Sequence, residues 1–381
     1  MNRRTFSKAL ISPMGFGAMG GKLFPANIPR MNAGGNKWSA KGLKLGISHQ
    51  RPDALHEKHF NYLKQMGVEY LEIRIPSEQS SLRDIIDIRD KVENAGLKVF
   101  EIMLADRYNI KESALGLPGR DEEIKFFQNF LRNLGKAGVD TTTYAWLNLG
   151  AYQTGTTLTR GCRTRLFELE SAQRLPNLYD QKFPEAELWD HYEYFIKHVL
   201  PVAEDAGVRL QLHPNDPPVS LQGVPRIFSS TKAFRRAMEI SNHSPYSGIL
   251  FCTGSFAEMS GPDGKEDLLR AIHEFGSRGH IFQVHFRNVS NSLPVFHETF
   301  PDDGYLSMYR VMKALGQVNF NGMVVPDHVP VCENSEAGSE TGEAYVFGYI
   351  RALIQAVDAE SGRFVRGKRD GLQSVNQGIK T

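Results

Sequence analysis

The chain has 381 residues, with 45 basic against 43 acidic side chains and a formal net charge of +2, a balance that offers no electrostatic footprint for nucleic acid or a membrane surface. Hydrophobic content of 41% and charged content of 23% suit a globular protein with a sizeable core, and no stretch approaches the roughly 18 uncharged apolar residues of a spanning helix. The three cysteines, Cys162, Cys252 and Cys332, form an odd and sparse set, which reads as ligand, nucleophile or core filler and not as a disulfide framework.

At the N-terminus, "MNRRTFSKALISPMGFGAMGG" sets Arg3-Arg4 with Phe6 and Lys8 ahead of a weakly apolar, glycine-rich run. The run resembles a twin-arginine signal, a route for proteins that fold before export, and predicts a periplasmic location; the plainer alternative is a basic tail on a cytoplasmic protein. Residues 1–40 are therefore expected to form a signal or mobile tail. Beyond them the chain alternates apolar strand, polar loop and amphipathic helix. The strand candidates are "LKLGIS" (43–48), "VEYLEIRI" (68–75), "LKVFEIML" (97–104) and "VDTTTYAWL" (139–147), then "VRLQLHP" (208–214), "SGILFC" (247–252), "HIFQVHFR" (280–287) and "GMVVPDH" (322–328). Helical patterns such as "LRDIIDIRDKVENAG" and "EEIKFFQNFLRNLGKAG" lie between them and close on glycine, as helix C-caps do.

Eight strand–helix units are the count of a (β/α)₈ TIM barrel, expected here as a single domain over 43–364 with a C-terminal tail at 365–381. An open doubly wound sheet is the alternative, but "GISHQRP" after the first strand lacks the glycine-rich turn of a dinucleotide site. A long insertion, about Gly150 to Pro184, follows strand four on the face where such barrels keep their chemistry.

The last four strands end on chemistry. Strand five ends on His213, six on Cys252, seven on His285 and eight on Asp327-His328. Adjacent strands lie about 4.8 Å apart, so these side chains can converge at the barrel mouth. Two imidazoles, a thiol and a carboxylate suit a divalent transition metal better than Ca or Mg. Each residue alone has a structural reading, a core cysteine or a hydrogen-bonded histidine; the conjunction carries the metal. His328, beside a ligand, suits general acid–base work or an orienting role. Arg287, with Asn288 after it, is expected to meet an anionic substrate group, a surface salt bridge being the alternative.

"LHPNDPP", "GVPRI", "FCTGS", "VHFRNV" and "MYRVMKAL", with "PDH" at strand eight, resemble D-mannonate dehydratase over about residues 207–328. The resemblance implies a xylose-isomerase-like barrel that uses Mn(II) or Fe(II) to remove water from D-mannonate, giving 2-keto-3-deoxygluconate. It also implies that His213, Cys252, His285 and Asp327 hold the metal and that His328 is the catalytic imidazole. The chain departs from the family pattern in several places. Val325 and Val329 stand where the family reads Arg and Gly, and "VPVCENSEAGSETGE" contains no counterpart of a family tyrosine. The run "SHQRPDALHEKH" replaces a first-strand motif, and the insertion "YQTGTTLTRGCRTRLFELE" is foreign to the core pattern.

The leading expectation is thus a metal-dependent hydro-lyase acting on a sugar acid. Two alternatives use the same barrel differently: a sugar isomerase, epimerase or glycoside β-eliminating lyase, and an exported sugar-binding protein without catalysis. No nucleic-acid or membrane-spanning role is expected, and a homo-oligomer is left open.

Overall fold

The computed structural model describes residues 42–147, 149–260, 265–332 and 339–360. The expected tails at 1–40 and 365–381, with the twin arginine, lie outside the described residues. Twelve strands follow in chain order: β1 (Lys44–Gln50), β2 (Tyr70–Ile75), β3 (Lys98–Leu104), β4 (Thr141–Ala145), β5 (Gly155–Thr159), β6 (Cys162–Glu168), β7 (Arg209–His213), β8 (Ser247–Cys252), β9 (Ile281–Phe286), β10 (Asn288–Val289), β11 (Val295–Thr299) and β12 (Met323–Pro326).

Eight of them form one parallel sheet in the order β3-β2-β1-β12-β9-β8-β7-β4. Its end strands β3 and β4 lie side by side without a ladder, so the sheet is a nearly closed barrel. These strands are buried on both faces, β8 and β9 at every residue, because one face fills the barrel and the other packs under helices. Helices obey their sequence signals. The helix Leu82–Asn94 starts on Ser81, whose hydroxyl accepts from the Asp84 N–H, and the helix Arg120–Ala137 ends on Gly138 in the left-handed region. Among the described residues no helix is long and apolar enough to cross a membrane.

The insertion is a second, antiparallel sheet. Strands β5 and β6 form a hairpin, β6 pairs with β11 and β11 with β10, giving the order β10-β11-β6-β5. It joins the loop after β4 to the loop after β9, so it stands at the C-terminal ends of the barrel strands. A further bridge pairs Arg163 with Val331, beyond β12.

That bridge corrects the reading of the cysteines. Arg163 and Val331 exchange both backbone hydrogen bonds at 2.9 Å, so Cys162 and Cys332 become a directly opposed, non-hydrogen-bonded pair with Cα atoms 4.4 Å apart. The two are joined as a disulfide, and Cys252 is the free, buried cysteine. Cysteine spacing carried no sign of the pairing, which is made between two loops 170 residues apart.

Candidate active site

His213 closes β7, Cys252 closes β8, His285 is the direct ladder partner of Cys252 on β9, and Asp327 follows the last residue of β12. Ligand atoms of His213, Cys252 and His285 lie within 4.8 Å of one another, as do those of His49, His285 and Asp327. Cys252 Sγ is 3.8 Å and His285 Nδ1 is 3.5 Å from Asp327 Oδ2. The rings are turned for ligation. The His213 Nδ1–H is donated to the Pro214 carbonyl at 2.7 Å, which leaves Nε2 for the centre. On the other ring, the His285 Nε2–H is donated to Glu72 at 3.3 Å, which leaves Nδ1.

His285 Nδ1 and Asp327 Oδ1 are both buried and have no hydrogen-bond partner. Buried polar atoms are ordinarily satisfied, so a pair of orphaned atoms beside a thiol marks where a cation belongs. The donor set fits a divalent transition ion. Electrostatics agree. Burial alone would raise the Cys252 thiol, but the neighbouring groups, led by the Arg287 guanidinium, outweigh it and bring the pKa down to about 5. Burial likewise opposes ionisation of Asp327, yet His328 and His285 hold its carboxyl well below the usual range. His49 sits at the end of β1 with its ring 5.5 Å from that of His285, and burial lowers its pKa to about 3, so it stays neutral.

Arg287 and Asn288 need correction as substrate contacts. Arg287 is 1% exposed, and its guanidinium is consumed by Asp216 (2.6 Å), by Glu298 (2.7 and 2.8 Å) and by Glu258. Its Nη1 lies 3.6 Å from Cys252 Sγ, so it acts on the thiolate from beneath the centre. The helix after Cys252 makes room for it, since a Cβ on Gly254 would fall 2.5 Å from Arg287 Cδ. Asn288 is fully buried and bonds the backbone of Pro301, Leu306 and Val289, which pins the loop after β9.

Asp216, within "LHPNDPP", and Arg165, from the insertion strand β6, complete a buried charge network. Arg165 reaches Glu298 at 2.7 Å and Asp216 at 3.0 Å. Burial and the Asp216 charge push the Glu258 carboxyl well above its ordinary value, against the pull of Arg287 and Arg165. Two buried guanidinium groups, Arg165 and Arg287, are thus paired with the carboxyl groups of Asp216, Glu258 and Glu298, as buried charges require.

His328 is not turned away from the centre. Strand β12 ends at Pro326, and His328 adopts a left-handed φ of 47°, which keeps its ring with Asp327 at the mouth. Its Nδ1 lies 3.0 Å from Glu298 Oε1 and its Nε2 3.7 Å from Asp327 Oδ1. The Tyr152 hydroxyl meets the same ring, 2.5 Å from Nε2 and 3.1 Å from Nδ1. Sequence reasoning missed Tyr152, Arg165 and Glu298, which come from paired loops, and His49 and Glu72, whose type and strand-end positions were legible signals.

Comparison with known proteins is consistent across sequence and structure. Residues 157–363 match a family model described as D-mannonate dehydratase (UxuA). The chain is similar to the mannonate dehydratase of Thermotoga petrophila, 30% identical over 328 residues, covering 74% of this chain and 88% of that one. Among solved structures, the mannonate dehydratase from Streptococcus suis serotype 2 superposes with a TM-score of 0.73 at 25% identity, over 84% of this chain and 96% of that one. A xylose isomerase domain protein from Planctomyces limnophilus, at 12% identity and a TM-score of 0.55 over 84% of this chain and 99% of that one, shares the barrel fold.

Proposed function

From a chain that belongs to the D-mannonate dehydratase family and is a hydro-lyase acting on a sugar acid, we propose a specific reaction: loss of water from D-mannonate at a centre held by His213, Cys252, His285 and Asp327. The observation that carries this reading is the convergence of those four strand ends beside His328, with two buried ligand atoms left unsatisfied. A thiolate and two imidazoles favour a transition ion over Ca or Mg, and the resemblance to the family implies Mn(II) or Fe(II). Bound there, the ion would polarise the substrate carboxylate and stabilise the charge that develops when the α-proton is lost.

The protein's own residues supply the rest. Glu298 accepts the His328 Nδ1–H and leaves the Nε2 lone pair to take the C2 proton. Arg74 is the cation best suited to the carboxylate of the sugar acid, now that Arg287 is accounted for. It lies near the end of β2, its Nε has no hydrogen-bond partner and only a 3.8 Å ion pair with Glu72, and its guanidinium stands 5.5 Å from the Tyr108 ring, which is edge-on to His213 at 6.1 Å. Departure of the C3 hydroxyl as water gives an enol, which tautomerises to the 2-keto-3-deoxy acid. Purified protein loaded with Mn(II) or Fe(II) should convert D-mannonate to that keto acid. Aldose–ketose interconversion without any keto acid would instead favour the isomerase reading.

The compartment belongs to the same proposal. The disulfide at the barrel mouth supports export, because such bonds persist in oxidising compartments and are rare in the cytosol. Arg3→Lys with Arg4→Lys should retain the protein in the cytoplasm; a double variant that reaches the same location as the parent would leave only a basic tail.

A further inference from the structure

The dehydration above needs two proton carriers, and the segments around "PDH" supply one. We infer that Tyr152, delivered by the insertion after β4, is the second: the general acid that protonates the departing hydroxyl and then recovers its proton from His328. This rests on the proposed reading of His328 as the base.

A carboxylate, an imidazole and a hydroxyl meet at the mouth, and the hydroxyl packs against the imidazole, 3.1 Å from Nδ1 as well as close to Nε2. Glu298 Oε1 lies 3.0 Å from His328 Nδ1, and the Tyr152 hydroxyl lies 2.5 Å from Nε2, the nitrogen that Glu298 leaves with its lone pair. An ionised carboxylate can only accept, so the ring proton sits on Nδ1 and the Nε2 lone pair stays open for the substrate proton. Burial opposes the charge on Glu298, but Arg287, Arg165 and His328 prevail and hold its pKa near 2. Desolvation keeps the Tyr152 phenol protonated, its pKa raised well above the ordinary value. In the resting site His328 is therefore the base and Tyr152 the acid.

Tyr152 is also held where an acid would have to be. Arg165 on β6 donates to the Tyr152 carbonyl at 2.8 Å and stands 4.0 Å over its ring. The ring packs edge-on to His328, 5.5 Å between centroids. The residue as a whole stays 42% exposed, so its hydroxyl is at the boundary between the buried network and the open mouth. A cation beneath the ring stabilises the phenolate that forms when the proton leaves.

The step balances. The C2–H bond breaks, its proton passes to His328 Nε2, and its electron pair forms the C2–C3 double bond. The C3–O bond breaks, and the departing oxygen takes the Tyr152 proton to leave as water. The imidazolium then returns its proton to the neighbouring phenolate, and both groups are restored. No outside oxidant or reductant is required.

The test uses full-length protein loaded with Mn(II), D-mannonate and D₂O. Tyr152→Phe should lose about 10² to 10³-fold in kcat with little change in KM or metal content, the usual contribution of a positioned proton carrier. Deuterium should still enter C2 of unreacted substrate in Tyr152→Phe, whereas His328→Asn should lose both exchange and water release. A Tyr152→Phe protein within threefold of the parent would overturn the assignment, as would one whose C2 exchange stops along with turnover. The contact is also read without turnover, from the ¹⁵N resonances of the His328 ring. These should move in Tyr152→Phe and stay in place in a Tyr62→Phe control, and an unmoved ring would overturn the inference. A parent enzyme that leaves D-mannonate intact while the ring still responds would count against the substrate reading alone.

Discussion

A thiol at a strand end is the residue-level feature that separates this centre from an all-oxygen cation site. Cys252 is fully buried and its pKa is drawn down to about 5, chiefly by Arg287, against the opposing effect of burial, so it is a thiolate at neutral pH. Cys252→Ser replaces it with an alcohol, and elemental analysis should show lower metal content and a shift toward harder ions. Equal content in variant and parent would remove Cys252 from the centre. Below the centre, Glu101 receives the Gln211 amide at 2.7 Å, and burial together with the Glu72 charge pushes its pKa up to about 8. The unfolded chain releases this proton near pH 4.3, the ordinary glutamate value of about that size. Between those two pH values the folded state holds a proton that the unfolded state lacks, so its contribution to stability is full at low pH and falls as pH rises through about 8. Glu101→Gln removes the titration, so its Tm relative to the parent should climb with pH across this window; a constant difference would show that Glu101 is ionised in the fold. At this scale the strand-end positions of the four residues proposed as ligands were legible because each is fixed by its own strand. Arg287 was misjudged because its partners Asp216, Glu258 and Glu298 come from three other segments.

Among the elements, the barrel strands were readable and the insertion sheet was not, for a physical reason. Barrel strands such as Ser247–Cys252 are buried on both faces and appear as continuous apolar runs. Strand β6 reads "CRTRLFE", with Arg165 buried in ion pairs on a face where the period would call for an apolar residue. Its pairing partner β11 lies in another loop, so no local pattern announces the sheet. The strand "GMVVPDH" was read too long: it stops at Pro326, and that early stop is what lets Asp327 and His328 both stay at the mouth. The disulfide ties this sheet to the segment just beyond His328 and closes a loop of 170 residues. Cys162→Ser with Cys332→Ser should therefore destabilise the protein by about 2–4 kcal/mol, with the chain-entropy model placing long loops at the upper end. Because Arg165 and Tyr152 enter with the same hairpin, kcat should fall while bound metal is retained. Unchanged stability and turnover after removal of both thiols would mean that the β-sheet pairing alone seats the hairpin.

For the molecule as a whole, one barrel brings together groups with three different origins. The proposed metal ligands come from strands β7, β8, β9 and the end of β12, the buried cations from β6 and the segment after β9, and the proposed acid hydroxyl from the loop before β5. The fold follows from the regular strand–helix count and the proposed ligands from its strand ends, whereas the proposed acid–base partners depend on contacts between loops that no periodicity encodes. What unites them is a single ion at the mouth, and that is the claim to test most directly. Crystals grown with Mn(II) should give one strong anomalous peak bounded by His213 Nε2, Cys252 Sγ, His285 Nδ1 and an Asp327 carboxylate oxygen, at bonding distances of about 2.0–2.4 Å. A map with no peak among these four side chains, or with its peak elsewhere in the molecule, would contradict the centre and the dehydration built on it.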